Sequence, residues 1–143
     1  MRSYCAGNGE QSRFALFAAA RWLYSPAMSR LIYKIVPEAL WREAEAAGRF
    51  TGAPVDAADG FIHFSTAAQV RETADRHFAG QHGLLLVAVE EARLGPALKH
   101  EPSRGGALFP HLYGDLALDA VAWVRPLPIG GDGRHVFPPL EDA

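Results

Sequence analysis

One cysteine, Cys5, stands in the 143 residues, which rules out an internal disulfide and a cysteine-cluster metal site and suits a reducing, cytoplasmic setting. No apolar run reaches the length of a membrane span. No phosphate loop and no glycine-flanked serine elbow is present. His63, His100 and His111 do not form the tight helical pair His-x-x-x-His, so metal hydrolysis has no ligand pattern to support it. Charge is also scarce: the net value is −2, and residues 1–28 hold a local +2 from Arg2, Arg13 and Arg21 against Glu10, leaving −4 for the rest. Nothing there attracts duplex nucleic acid. Repeats, heptads and low-complexity tracts are missing too. What is there, 49% hydrophobic and 21% charged residues, is the composition of one ordinary globular domain able to bury its own core.

Residues 1–28 differ in character from the remainder of the chain. Tyr4 to Gln11 is polar, and Phe14 to Tyr24 is an alanine-rich apolar run interrupted by Arg21. A secretory signal and an added segment compete as explanations, and Glu10 before the run with Arg21 inside it weigh against the signal. The expected organisation is an extension over 1–28, flexible or loosely docked, and a single domain over 29–143.

His63 is the organising residue. In Gly60-Phe61-Ile62-His63-Phe64-Ser65-Thr66, strand alternation turns Phe61, His63 and Ser65 to one face and Ile62 and Phe64 to the other. Thr66 and Gln69 have the spacing of a capping box, which leaves Ser65 free, and Val70, Ala74 and Phe78 then mark one helix face, with Gly80 as its stop. Upstream, Leu31 to Val36 reads as a buried strand. Pro37 opens a helix with Leu40, Trp41, Ala44 and Ala47 inward and Gly48 at its end. Phe50 to Asp59 reads as a turn-forming stretch whose acidic residues either lie near the site or face water. Leu84 to Val89 lacks alternation and is expected at the sheet centre, covered on both faces. Ala117 to Val124 reads as one more strand, and His135 as structural or exposed.

Lys99 to Gly114 reads as a long polar loop, which a small domain keeps for function. It carries Glu101, Arg104, His111 and Tyr113. Together with His63 and Ser65 these residues offer a guanidinium, two imidazoles, a carboxylate and two hydroxyls, a set suited to a polar, phosphorylated ligand. Group transfer from a pyrophosphate-containing ligand would use Arg104 on phosphate, Ser65 and His63 on a ribose or amide, and Glu101 or His111 to orient or deprotonate the acceptor. A core histidine at position 63 and a merely solvated loop are the competing readings.

Asp59 to Thr66, Glu101-Pro102-Ser103-Arg104-Gly105-Gly106 and Phe109-Pro110-His111-Leu112-Tyr113-Gly114 resemble the signature stretches of the bacterial domain of unknown function 952, over about Leu31 to Leu140. The resemblance implies an α+β, ADP-ribosyltransferase-like fold, with two small sheets and helices around a central cleft that accepts NAD in relatives. More distantly, His63-Phe64-Ser65 is similar to the His-Leu-Ser segment of NAD-dependent RNA 2′-phosphotransferases. It implies NAD as cofactor, a nucleotide-like small molecule as partner, His63, Glu101 and His111 as catalytic residues, and Tyr33, Lys34, Ser65, Thr66, Arg104 and Tyr113 as ligand-binding ones. The first strand departs from the ADP-ribosyltransferase pattern, offering Tyr33-Lys34 where a histidine or arginine precedes Gly-Thr. The late catalytic glutamate has no evident match. An NAD-dependent transferase and a binding domain without turnover therefore both stand as expectations.

Overall fold

Leu31, Tyr33 and Ile35 alternate with Ile32, Lys34 and Val36 along β1 (Leu31–Pro37), and every one of these side chains is buried. A strand covered on both faces needs a layer on each side. The structure, a computed structural model describing residues 30–140, supplies both. The expected extension over 1–28 lies outside the described residues.

Pro37 ends β1 and precedes α1 (Glu38–Ala47), so it stands just before the helix, not at its first position. Trp41 and Ala44 point inward, and Gly48, at φ 87°, stops the helix in the left-handed region that favours glycine. β4 (Leu84–Glu90) lies between β1 and β8 (Val121–Pro126), antiparallel to both. This is the sheet centre that the unalternated apolar run implies. One face of the sheet carries Ile32, Val36, Leu85, Val87 and Val89 against Trp41 and Ala44. The other carries Tyr33, Ile35, Leu86 and Ala88 against Val70 and Ala74 of α3 (Val70–His77). That helix ends at His77 with Phe78 as its cap, short of Gly80.

Three stretches differ from expectation. Arg49 to Asp59 is not simply a turn. It contains β2 (Arg49–Phe50) and the short helix α2 (Pro54–Asp59), where Pro54 opens the helix and Gly60 closes it at φ 88°. The polar stretch from Lys99 is a hairpin: β5 (Leu98–Pro102) and β6 (Leu108–Leu112) joined by a 3-10 turn at Arg104–Gly106. Its polar composition reflects an edge strand, since β5 pairs on one side only. The late strand is divided, with β7 (Leu116–Ala117) and β8 separated by a 3-10 turn at Leu118–Ala120.

The result is an α+β fold of small antiparallel sheets with few helices. Among the described residues three sheets are present where two were expected: β1-β4-β8, β2-β7, and β3-β6-β5, with β3 spanning Ile62–His63. His135 is structural, as the sequence suggests: it is buried, and its Nε2 lies 2.9 Å from the Gln81 carbonyl.

Candidate functional site

The cleft exists because two sheets begin to merge and then do not. Tyr33 and Ser65 exchange both backbone hydrogen bonds at 2.8 Å, an isolated antiparallel bridge joining β1 to the end of the His63 strand. An antiparallel strand turns successive residues to opposite neighbours. Tyr33 faces Ser65, whereas Glu38 donates toward Gly83 next to β4. The odd residues of β1, Ile35 among them, therefore face away from β4. Continuing the ladder would put Ile35 opposite His63. Instead the His63 amide donates to Asp56 Oδ1 at 3.2 Å, and its carbonyl accepts from Lys34 Nζ at 3.0 Å. The strands splay, and the N–H and C=O of Ile35 are left at the rim of a cleft of about 650 Å³.

Asp56 is the centre of this wedge. Its side chain is 1% exposed, and Lys34 Nζ lies 3.1 Å from Oδ2 and 3.3 Å from Oδ1. The Ala53 amide donates to Oδ2 at 2.7 Å, and His63 Nδ1 lies 2.6 Å from Oδ1. Burial by itself raises the carboxyl pKa. The hydrogen bond from His63, the charge of Lys34 and the Ala53 and His63 amides together outweigh it, holding Asp56 at about 2. Burial pulls Lys34 below its ordinary value, and Asp56 opposes that shift. The acidic residues of this stretch were expected either near the site or in water, and Asp56 and Asp59 both meet His63. Asp56 corrects the solvated reading, and the signal for its burial is its place as the third residue of a helix bracketed by Pro54 and Gly60, too short to show periodicity.

Because Asp56 is ionised, His63 Nδ1 must donate to it. The other ring nitrogen, Nε2, lies 2.9 Å from Oδ2 of the half-exposed Asp59. His111 is the register partner of His63 across β3 and β6. Its Nδ1 lies 2.8 Å from Glu101 Oε1, which also accepts from the Tyr113 hydroxyl at 2.8 Å. The bonds from His111 first, and then from Tyr113, hold the Glu101 carboxyl below the usual range, and Glu101 in turn raises Tyr113. Phe61 stacks on His111 with centroids 4.1 Å apart, and the two imidazoles stand edge to face at 5.5 Å.

Arg104 is loosely held: Nη2 is 3.5 Å from the Thr73 hydroxyl and Nε 3.9 Å from Glu72. Its guanidinium lies over Phe109, 4.9 Å from the ring centroid. Ser65 is not free. It is buried, and its hydroxyl is 3.0 Å from that of Thr73. Of the residues named from sequence, Tyr33, Lys34, His63, Ser65, Arg104 and His111 line the cleft. Glu101 and Tyr113 stand behind His111, outside the lining. Thr66 is also outside it, and only half of its expected capping box forms: its amide donates to Gln69 Oε1 at 3.0 Å, while Gln69 Nε2 donates to the Leu108 carbonyl. Asp59, Thr73 and Phe109 were missed. Thr73 faces the cleft four residues after Gln69, and Phe109 alternates with His111, a spacing visible only once the hairpin is known. Among the described residues no group of three or more His, Cys, Asp or Glu side chains could hold a metal ion, and no helix is long and apolar enough to cross a membrane.

Known proteins give a fold and a family. The crystal structure of protein CC0527 from Caulobacter crescentus is 51% identical, with 74% of this chain and 93% of that one covered and a TM-score of 0.72. Its solution NMR structure is 52% identical, covers 73% and 90%, and has a TM-score of 0.67. No curated protein matches. The family described as protein of unknown function (DUF952) matches residues 35–124, from the rim strand through the hairpin to β8, and the chain belongs to that family.

Proposed function

We propose that the cleft binds a nucleotide-like, phosphorylated small molecule, with NAD as the first candidate, in a domain of ADP-ribosyltransferase-like architecture. The observation that carries this is the pairing, in one cleft, of the open β1 edge at Ile35 with the Arg104 guanidinium. A donor and an acceptor side by side on a strand edge suit a carboxamide, which offers the complementary pair. A guanidinium with only long contacts to its neighbours suits phosphate. Phe78, Val55 and Phe109 supply apolar wall between them, and the volume falls within the range of small-molecule sites. Small sheets splayed around a cleft are what supports the ADP-ribosyltransferase-like reading.

A second reading, group transfer from bound NAD, is favoured by one further feature: His111 lines the cleft and its Nδ1 is held by Glu101, which leaves its other nitrogen without a partner among the described residues. Thermal denaturation tests the first reading. ADP-ribose or NAD at tenfold its Kd adds about 1.4 kcal/mol to the folded state, a rise of several degrees, and Arg104→Ala abolishes it. No rise with either compound at millimolar concentration refutes the reading. Release of nicotinamide separates transfer from binding.

A further inference from the structure

We propose that His63 and His111 are a proton donor and a proton acceptor for hydrolysis of a phosphodiester held by Arg104, so that the cleft is a metal-independent phosphodiesterase site for a nucleotide. This rests on the reading of the cleft as a phosphate-ligand site and adds its reaction and the roles of two side chains.

The two imidazoles are fixed as a pair by the β3–β6 ladder. Each has Nδ1 on a carboxylate, Asp56 at 2.6 Å and Glu101 at 2.8 Å, which leaves Nε2 of each ring for chemistry. The two Nε2 atoms are not equivalent. That of His63 meets Asp59 Oδ2 at 2.9 Å, a contact an ionised Asp59 makes only when Nε2 carries a proton. That of His111 has no partner among the described residues and keeps its lone pair in the tautomer Glu101 selects. One ring is thus stocked with a proton and the other with a vacancy; the rings touch edge to face at 5.5 Å between centroids and both line the cleft, so a phosphate lying across the pair meets both. Arg104 lies over Phe109, two residues from His111 on the same strand face, about 7 Å along β6. That places its charge beside the same phosphate. Asp59, at the end of α2 and half exposed, can swing away as the ester enters.

In the reaction, His111 Nε2 takes a proton from water while the water oxygen forms a bond to phosphorus. The bond from phosphorus to the leaving ester oxygen breaks, and that oxygen keeps the electron pair and takes the proton of His63 Nε2. One water is consumed, nothing is oxidised, and solvent exchange returns His111 and His63 to their starting states.

The test uses adenosine 2′,3′-cyclic phosphate and bis(4-nitrophenyl) phosphate with the full chain in EDTA. Hydrolysis is expected, with His63→Gln and His111→Gln each lowering kcat by about 10²- to 10⁴-fold. If ADP-ribose binds and neither ester is cleaved, the reaction is wrong and the binding reading stands. If ADP-ribose does not bind, both fall. Either variant cleaving at the wild-type rate also overturns the assignment. Should a variant fail to fold, the imidazole ¹⁵N spectrum of the wild type decides: His111 must be the Nδ1–H tautomer with an Nε2 signal that inorganic phosphate displaces, and an unmoved signal overturns the proposal.

Discussion

Asp56→Asn removes one charge and almost no volume, and leaves the Lys34 ammonium buried beside the His63 carbonyl without its counter-ion. Breaking a buried pair from one side costs about 3–5 kcal/mol, a large share of a total stability of about 5–15 kcal/mol. A second route gives a ceiling. Lys34 can escape by releasing its proton, which costs about 4.6 kcal/mol at pH 7 for a lysine whose unfolded pKa is about 10.4. That escape has a sign. With the folded pKa below the unfolded one, the unfolded chain binds more protons, so stability rises with pH between the two values. The variant should lose about 3–5 kcal/mol at pH 7 and recover up to about 2.7 kcal/mol between pH 7 and pH 9. Urea unfolding at both pH values measures this, and adding Lys34→Met should restore much of the loss by removing the stranded charge. A loss under about 1 kcal/mol at pH 7, or one that does not change with pH, would refute the account of Asp56 as the counter-ion that holds the wedge.

The same region supports two more expected outcomes. Asp56 sits at about 2 in the folded protein against an ordinary 3.8, so its contribution of about 2.5 kcal/mol is complete above pH ~4 and lost as pH falls to ~2; acid unfolding followed by circular dichroism should show that window in the wild type and a shallower one in Asp56→Asn. Gly52 has φ 113°, and a Cβ there would lie 2.9 Å from Asp56 Cβ, so Gly52→Ala should cost at least about 1–3 kcal/mol in chemical denaturation, and a neutral result would show that α2 can move off the wedge.

The parts of the fold that periodicity governs were legible. Leu31–Val36 and Leu84–Val89 are long apolar runs, and both are core strands. Trp41, Ala44 and Gly48 mark one helix face and its end. Ile62 and Phe64 turn inward as alternation requires. Asp56 and the hairpin were not legible, for two different reasons. α2 has six residues, fewer than two turns, so its apolar side shows no repeat. Asp56 is buried for its partners, and Lys34 lies 22 positions earlier, a distance no local pattern spans. Along β5, Lys99, His100 and Glu101 are polar on both faces because an edge strand outside the core has no apolar face to show. Glu101 was read as a loop carboxylate, yet its tie to His111 depends on β5–β6 pairing.

The same residues explain why the cleft is where it is. A strand pair that has formed one bridge gains by forming the next, since each unpaired backbone group otherwise needs another partner. At Ile35 and His63 the ladder stops because Lys34 and Asp56 supply the His63 groups with partners that β1 would have given. Lys34 is β1's own residue, next to Ile35, so the strand that loses the pairing also carries the charge that prevents it. Truncating Asp56 would free the His63 amide, and truncating Lys34 its carbonyl, to seek Ile35, and the cleft rim would close by one hydrogen bond in either case. The buried ion pair is therefore better understood as what keeps an edge open than as a source of stability. The edge, the two imidazoles and Arg104 share one pocket because of that interruption.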